Sequence, residues 1–171
     1  MRVFFGLDLP AERILEIDHW RAKHLHCQGQ PVPPENFHIT LAFVGSIATR
    51  SLESLLDDAD SLAGGNPLEL RLNQMGYFQK PGIFWFGSST TPPSLSSLSA
   101  GLRKVAANNG GRLERKPLQP HVTLYRRCEI PPPAPPAVPV IDLAWRHFTL
   151  FESLQGRRGV QYREIAQWSL Q

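Results

Sequence analysis

Two short strings in this chain are near copies of each other, Asn36-Phe37-His38-Ile39-Thr40-Leu41 and Gln119-Pro120-His121-Val122-Thr123-Leu124. Each sets an imidazole and a hydroxyl two positions apart, with apolar residues between and after them. On a strand successive side chains point to opposite faces, so His38 and Thr40 share one face, as do His121 and Thr123. Ile39, Leu41, Val122 and Leu124 are left to pack on a core. A neutral imidazole can take a proton from water, and a protonated one can hand a proton to a leaving oxygen; an ordinary pKa of about 6.5 suits both tasks. The two threonine hydroxyls can donate to the non-bridging oxygens of a phosphate, where negative charge must be held in the transition state. A cyclic phosphodiester fits this set best, because its strained ring needs an activated water, a protonated leaving oxygen and no metal. Arg126 stands at the end of the second string, either in reach of the same phosphate or as an exposed edge charge.

Chance would supply roughly 0.1 strings of the form His-x-Thr-apolar in a chain of this composition, and there are three. The third is His147-Phe148-Thr149-Leu150. Context separates it from the others. Before His38 come an apolar strand from Arg2 to Leu9, a helix starting at Pro10 and running from Ala11 to about His26, and a Pro-rich entry. Before His121 come the apolar run Ile83 to Gly87, a helix over Ser94 to Asn108 and another Pro-bearing entry. The repeat of strand, helix, strand therefore makes two half-sites. His147 follows His121 by 26 positions with no helical stretch between, so it breaks the repeat.

The remaining elements are expected to frame those halves. Ile14, Leu15, Ile17 and Leu25 form the buried stripe of the first helix, and Ser51 to Ala63 has helical spacing that stops at Gly64-Gly65. Leu68, Leu70 and Leu72 alternate with polar residues as a half-buried strand, Gly76 to Gly82 reads as a turn region, and Ile141 to Leu154 with Gly159 to Leu170 reads as a closing hairpin. The expected fold is α+β: two pseudo-symmetric lobes of mainly antiparallel sheet, helices outside, and an active cleft between the lobes. Residues 1–171 form one domain of two interleaved lobes, and the Pro-rich run at 130–139 is a stiff surface connector within it.

Bulk properties exclude several classes. Two cysteines, Cys27 and Cys128, make no disulfide framework and no zinc spacing, and His19, His24 and His26 lack acidic or thiol partners for a metal. No Gly-rich phosphate loop is present, so no nucleotide cofactor is expected. The apolar opening is too short for a signal core and no run could span a bilayer, which points to a cytoplasmic protein without membrane partners. A net charge of +3 allows RNA without requiring it.

The chain resembles the two-histidine (2H) phosphoesterases, and within them the bacterial and archaeal RNA 2′,3′-cyclic phosphodiesterases, historically called 2′-5′ RNA ligases. The resemblance rests on Arg2-Val3-Phe4-Phe5-Gly6-Leu7, on Phe37 to Gly45, on Pro120 to Arg126, and on an ending that runs from Leu150-Phe151-Glu152-Ser153 to Gly159-Val160-Gln161-Tyr162. It implies hydrolysis of a terminal 2′,3′-cyclic phosphate to a 2′-phosphate, with His38 as proton donor, His121 as proton acceptor, and Thr40 and Thr123 as phosphate anchors. Weak, reversible 2′-5′ joining of RNA ends goes with the same site. His147 falls where the family carries no catalytic residue. Two other readings stay open. One is a module that binds RNA ends with little catalysis, stacking bases on Phe5, Tyr125 or Phe151. The other is a 2H enzyme for small cyclic nucleotides or 2′-5′ oligonucleotides. A preference for RNA would rest on basic residues outside the cleft, drawn from Arg103, Lys104, Arg112, Arg115, Lys116, Arg127, Arg157 and Arg158.

Overall fold

The computed structural model describes residues 1–171. In chain order the elements are β1 (Arg2–Asp8), α1 (Ala11–His24), β2 (Gln30–Pro31), β3 (His38–Ser46), α2 (Leu52–Asp60), β4 (Leu68–Leu72), β5 (Gln74–Phe78), β6 (Ile83–Gly87), α3 (Pro93–Asn108), β7 (His121–Arg126), β8 (Ile141–Trp145), β9 (His147–Gly156) and β10 (Gly159–Ser169). All pairings are antiparallel.

The main sheet runs β10-β9-β1-β3-β7-β6-β5, with β2 also paired to β7, and β4 with β8 makes a separate two-stranded sheet. The two motif strands are neighbours at the centre. They meet at one residue pair, Ile39 with Val122. Beyond it they part, and β2 takes up the rest of β7, Pro31 pairing with Tyr125 and Gln30 with Arg126. The expected two lobes are thus the two ends of one sheet, joined at a narrow seam.

Apolar residues on the far side of the sheet, among them Phe5, Leu7, Ile39, Leu41, Phe86, Val122, Leu124, Phe148 and Leu150, are buried under the helices in a single hydrophobic cluster. The helices exchange partners across the seam. α1 follows β1, yet its Trp20 packs on Phe86 of β6 and its Arg21 donates to the carbonyl of Leu124 in β7. α3 follows β6, yet its Ser99 hydroxyl donates to the Leu41 carbonyl of β3.

Three local readings need correction. Gln74–Phe78 is a strand, so the turn is confined to Gln79–Gly82, where the Lys80–Pro81 peptide is cis. Gly76 is needed inside that strand because the Trp85 ring lies directly over it, where a Cβ would have to stand. The stretch Ile141 to Leu154 is two strands, broken at Arg146: β8 pairs with β4, and only β9 forms the hairpin with β10. Leu15 is turned to solvent at 68% exposure, and the stripe of α1 runs instead through Ile17 to Arg21. Residues 130–140 form neither helix nor strand and are largely exposed. No helix is long and apolar enough to cross a membrane.

Candidate active site

The seam decides the geometry of the histidines. In antiparallel pairing, directly opposed residues share a face. With Ile39 opposite Val122, the register sets His38 across from Thr123 and Thr40 across from His121. A pseudo-twofold axis therefore passes through the Ile39–Val122 pair, and both His–Thr pairs lie on the face away from the helices. All four side chains are half-buried, and Arg126 is exposed at the strand end.

Each imidazole is anchored the same way. His38 Nδ1 lies 2.7 Å from the carbonyl of Asn36, and His121 Nδ1 lies 2.7 Å from the carbonyl of Gln119. A carbonyl can only accept, so Nδ1 carries the proton in both rings and Nε2 is the basic nitrogen. His38 Nε2 is 2.9 Å from Thr40 Oγ1, an arrangement in which the hydroxyl donates to the neutral ring. These main-chain anchors were missing from the sequence reading. Their only trace was positional, since the acceptor is the residue two before the histidine in both strings.

Electrostatics favour neutral rings in the unliganded protein. Burial pushes His38 down to about 4, against the stabilising Asn36 carbonyl, with the positive Arg126 and the neighbouring His121 adding to the fall. Burial also lowers His121, against the Gln119 carbonyl, and Arg126 again adds to it. Arg126 is thus within electrostatic reach of both imidazoles. An anion placed between them would reverse the sign of the balance, because it favours each ring's charged form.

Aromatic rings flank each histidine. His38 touches Phe4 at 5.0 Å and the edge of Tyr162 at 4.9 Å between centroids, and Phe4 stacks on Phe151 at 5.3 Å. His121 is flanked by Phe78 at 5.4 Å and Trp85 at 5.6 Å. Trp85 lies flat because Gly76 and Gly87 leave room for it; a Cβ on Gly87 would stand 2.6 Å from its Cζ3. Trp85 Nε1 is buried without a hydrogen-bond partner.

Of the three aromatics proposed to stack bases, Phe5 is excluded: it has no exposed surface and packs against Phe148 and Trp168 on the helix side of the sheet. The alternation of β1 turns Phe4, and not Phe5, to the histidine face. Tyr125 is occupied by packing, stacked on Phe84 with the Arg21 guanidinium 5.6 Å from its ring. Phe151 lines a cavity of about 220 Å³ beside His38. A larger depression of about 470 Å³ lies over β4 and β8 and holds none of the motif residues.

The third string makes no half-site. His147 Nε2 is bonded to Asp8 Oδ1 at 3.0 Å, and Thr149 is fully buried. No group of three or more His, Cys, Asp or Glu side chains is placed to hold a metal. The eight basic residues are spread over α3, the loop after it, the turn after β7 and the β9–β10 turn; of these, Arg103 is bonded to the Lys116 carbonyl.

Comparisons with known proteins identify the family. The family described as LigT-like phosphoesterase matches residues 7–85. An RNA 2′,3′-cyclic phosphodiesterase of Escherichia coli is 33% identical over 99% of this chain and 96% of its own length, and one from Thermus thermophilus is 30% identical over 99% and 90%. The crystal structure of E. coli LigT complexed with 3′-AMP superposes with a TM-score of 0.87 at 34% identity, covering 99% of this chain and 97% of the other. Paired imidazoles on a shared seam, a whole-length fold match and whole-length relatives together place this chain among the LigT-like phosphoesterases of the 2H superfamily.

Proposed function

We propose that this protein hydrolyses RNA ends carrying a 2′,3′-cyclic phosphate to 2′-phosphomonoesters, by paired-histidine acid–base catalysis that needs no metal. The observation that carries the reading is the opposition of His38/Thr40 and His121/Thr123 across the Ile39–Val122 pair, with each Nδ1 tied to a main-chain carbonyl. With each Nδ1 occupied, the Nε2 nitrogens are the ones left for acid–base work on a phosphate bound between the two half-sites. That is the arrangement an in-line displacement needs.

His121 Nε2 takes a proton from water as the water oxygen bonds to phosphorus. The bond from phosphorus to the 3′-oxygen breaks, and His38 Nε2 gives that oxygen its proton. Thr40 and Thr123 donate to the non-bridging oxygens, and Arg126 offsets the charge gathered there. The free protein holds both rings towards the neutral form, so His38 acquires its proton with the anionic substrate. If a 5′-hydroxyl replaces water, the same steps leave a 2′-5′ bond, and joining is the weak counterpart of hydrolysis. Two unpaired thiols in contact suit a reducing compartment such as the cytoplasm.

The test is mass spectrometry of a short RNA ending in a 2′,3′-cyclic phosphate, incubated in EDTA. Wild type and His147→Ala should add one water, whereas His38→Ala and His121→Ala should each be slower by about 10²–10⁴-fold. Binding without conversion by wild type would overturn the catalytic reading in favour of an RNA-end binding module.

A further inference from the structure

Each imidazole is held by a carbonyl that lies outside the sheet. Asn36 closes a short 3₁₀ turn, Pro34–Asn36, just before β3, and Gln119 lies in the irregular approach to β7. The strand ladder therefore does not set the direction of either carbonyl, although that direction decides whether it can receive Nδ1–H. The Asn36 peptide is steadied on one side, where the Phe37 N–H donates to the Pro34 carbonyl at 3.0 Å. The Gln119 peptide runs into Pro120, which has no N–H to hold it.

In both half-sites a further tie comes from the same residue's own side chain. The Asn36 amide donates from Nδ2 to the Val160 carbonyl of β10 at 2.8 Å, and the Gln119 amide donates from Nε2 to the Ser88 carbonyl, one residue beyond β6, at 3.0 Å. The strands that supply these acceptors also touch the rings. β10 sets the edge of Tyr162 on His38, and β6 sets Trp85 beside His121. A carboxamide two residues before each histidine thus grips one ring through its carbonyl and one supporting strand through its amide. The likeness of the two half-sites extends past the His–Thr pairs to this outer layer. Resting on the function proposed above, we propose that Asn36 and Gln119 are positioning residues, whose side-chain amides fix the carbonyls that set the tautomer and direction of the two imidazoles. With the amide tied, Nδ1 keeps its proton and Nε2 is free to accept or return one at the phosphate. Without the tie the peptide can turn, and the ring can place its proton on Nε2, where it blocks proton abstraction by His121 and misdirects donation by His38.

The test reads each ring directly. Imidazole ¹⁵N shifts of the unliganded protein at pH 8 distinguish Nδ1–H from Nε2–H without any need for turnover. Wild type should show Nδ1–H in both rings. Asn36→Leu, close in shape but without a donor, should turn His38 into a mixture of tautomers and leave His121 as it is; Gln119→Met should do the reverse. In hydrolysis of the cyclic-phosphate RNA each variant should lose about 10–100-fold in kcat, the loss that orienting partners of imidazoles carry in metal sites, with KM within about twofold of wild type. Where either variant fails to fold, Asn36→Ser or Gln119→Ser, too short to reach the same carbonyl, carries the same expectation. An amide with only a structural role would lower the melting temperature and leave tautomers and kcat in place. Rings that stay Nδ1–H in the variants, or a kcat within about threefold of wild type, would therefore overturn the positioning role and leave paired-histidine catalysis standing. No hydrolysis by wild type would overturn the function and the positioning role with it.

Discussion

His38 and His121 are the two groups in which proton position and activity are tied most directly. Burial lowers both, so kcat/KM, which reports the free enzyme, should trace a bell centred on the acid side of pH 6.5. Bound phosphate favours imidazolium, so the bell in kcat should lie at higher pH. A kcat bell displaced to lower pH than that of kcat/KM would contradict the placement of the anion between the rings. The same burial shapes stability. The folded protein keeps His38 neutral down to about pH 4, whereas the unfolded chain protonates it near pH 6.5. Between those values the unfolded state binds more protons, so stability is fully present above pH 6.5 and falls as the pH drops towards 4, by about 3 kcal/mol. His38→Asn should flatten that part of the urea-midpoint profile. A third residue-scale effect concerns Cys27, whose thiol is pushed up to about 12 by burial and by the Cys128 sulfur beside it. Alkylation of Cys27 in the native protein at pH 8 should be far slower than in urea, because the thiolate is the nucleophile. The pairing of the two His-x-Thr strings was legible in the sequence because each is a repeated motif on an alternating strand, and the structure sets those strands side by side. Asn36 and Gln119 were not, because they act through their carbonyls and a main-chain acceptor leaves no residue type to recognise.

At the scale of elements, what holds the seam is polar and buried. Arg21 of α1 donates from Nη1 to the carbonyls of Val32 and Leu124 at 2.7 and 2.8 Å, from Nη2 to Asp18 at 2.8 Å, and lies 4.9 Å over the Phe37 ring. One side chain thus ties a helix to the strand next to Thr123 and to the entry of the first motif. Arg21→Met keeps the stem but strands the buried Val32 carbonyl and removes one of two donors to Leu124, whose carbonyl keeps the Val32 N–H, and should cost about 2 kcal/mol in chemical denaturation. Gly76→Ala should destabilise by a further measure of about 1–3 kcal/mol, since the new methyl meets the Trp85 ring, and it should also slow hydrolysis by displacing a neighbour of His121. Both features explain where sequence patterning fell short. A charged residue at a helix stripe position reads as solvent-facing, which concealed Arg21. A glycine reads as a turn, which concealed β5, although here it marks the resting place of a ring from the next strand. The break at Arg146 was hidden because both sides of it alternate properly and nothing local says that β8 pairs elsewhere.

Seen whole, the molecule is built on one main sheet with a motif strand in each half and helices exchanged between the halves. The alternation of strands and helices made the α+β class and the antiparallel pairing readable. The exchange was not, because periodicity gives the buried face of α1 without naming the strands it covers. That exchange has a consequence for the polypeptide as a chain. A helix made early covers strands made late, so neither portion can bury its own strands without the other. Cutting the backbone in the exposed connection 61–67, between α2 and β4, should therefore give two pieces that are each unfolded or aggregated alone and regain hydrolysis on mixing. The seam would then behave as the closure of a split enzyme, with the cyclic-phosphate reaction reporting that two separate polypeptides have found each other.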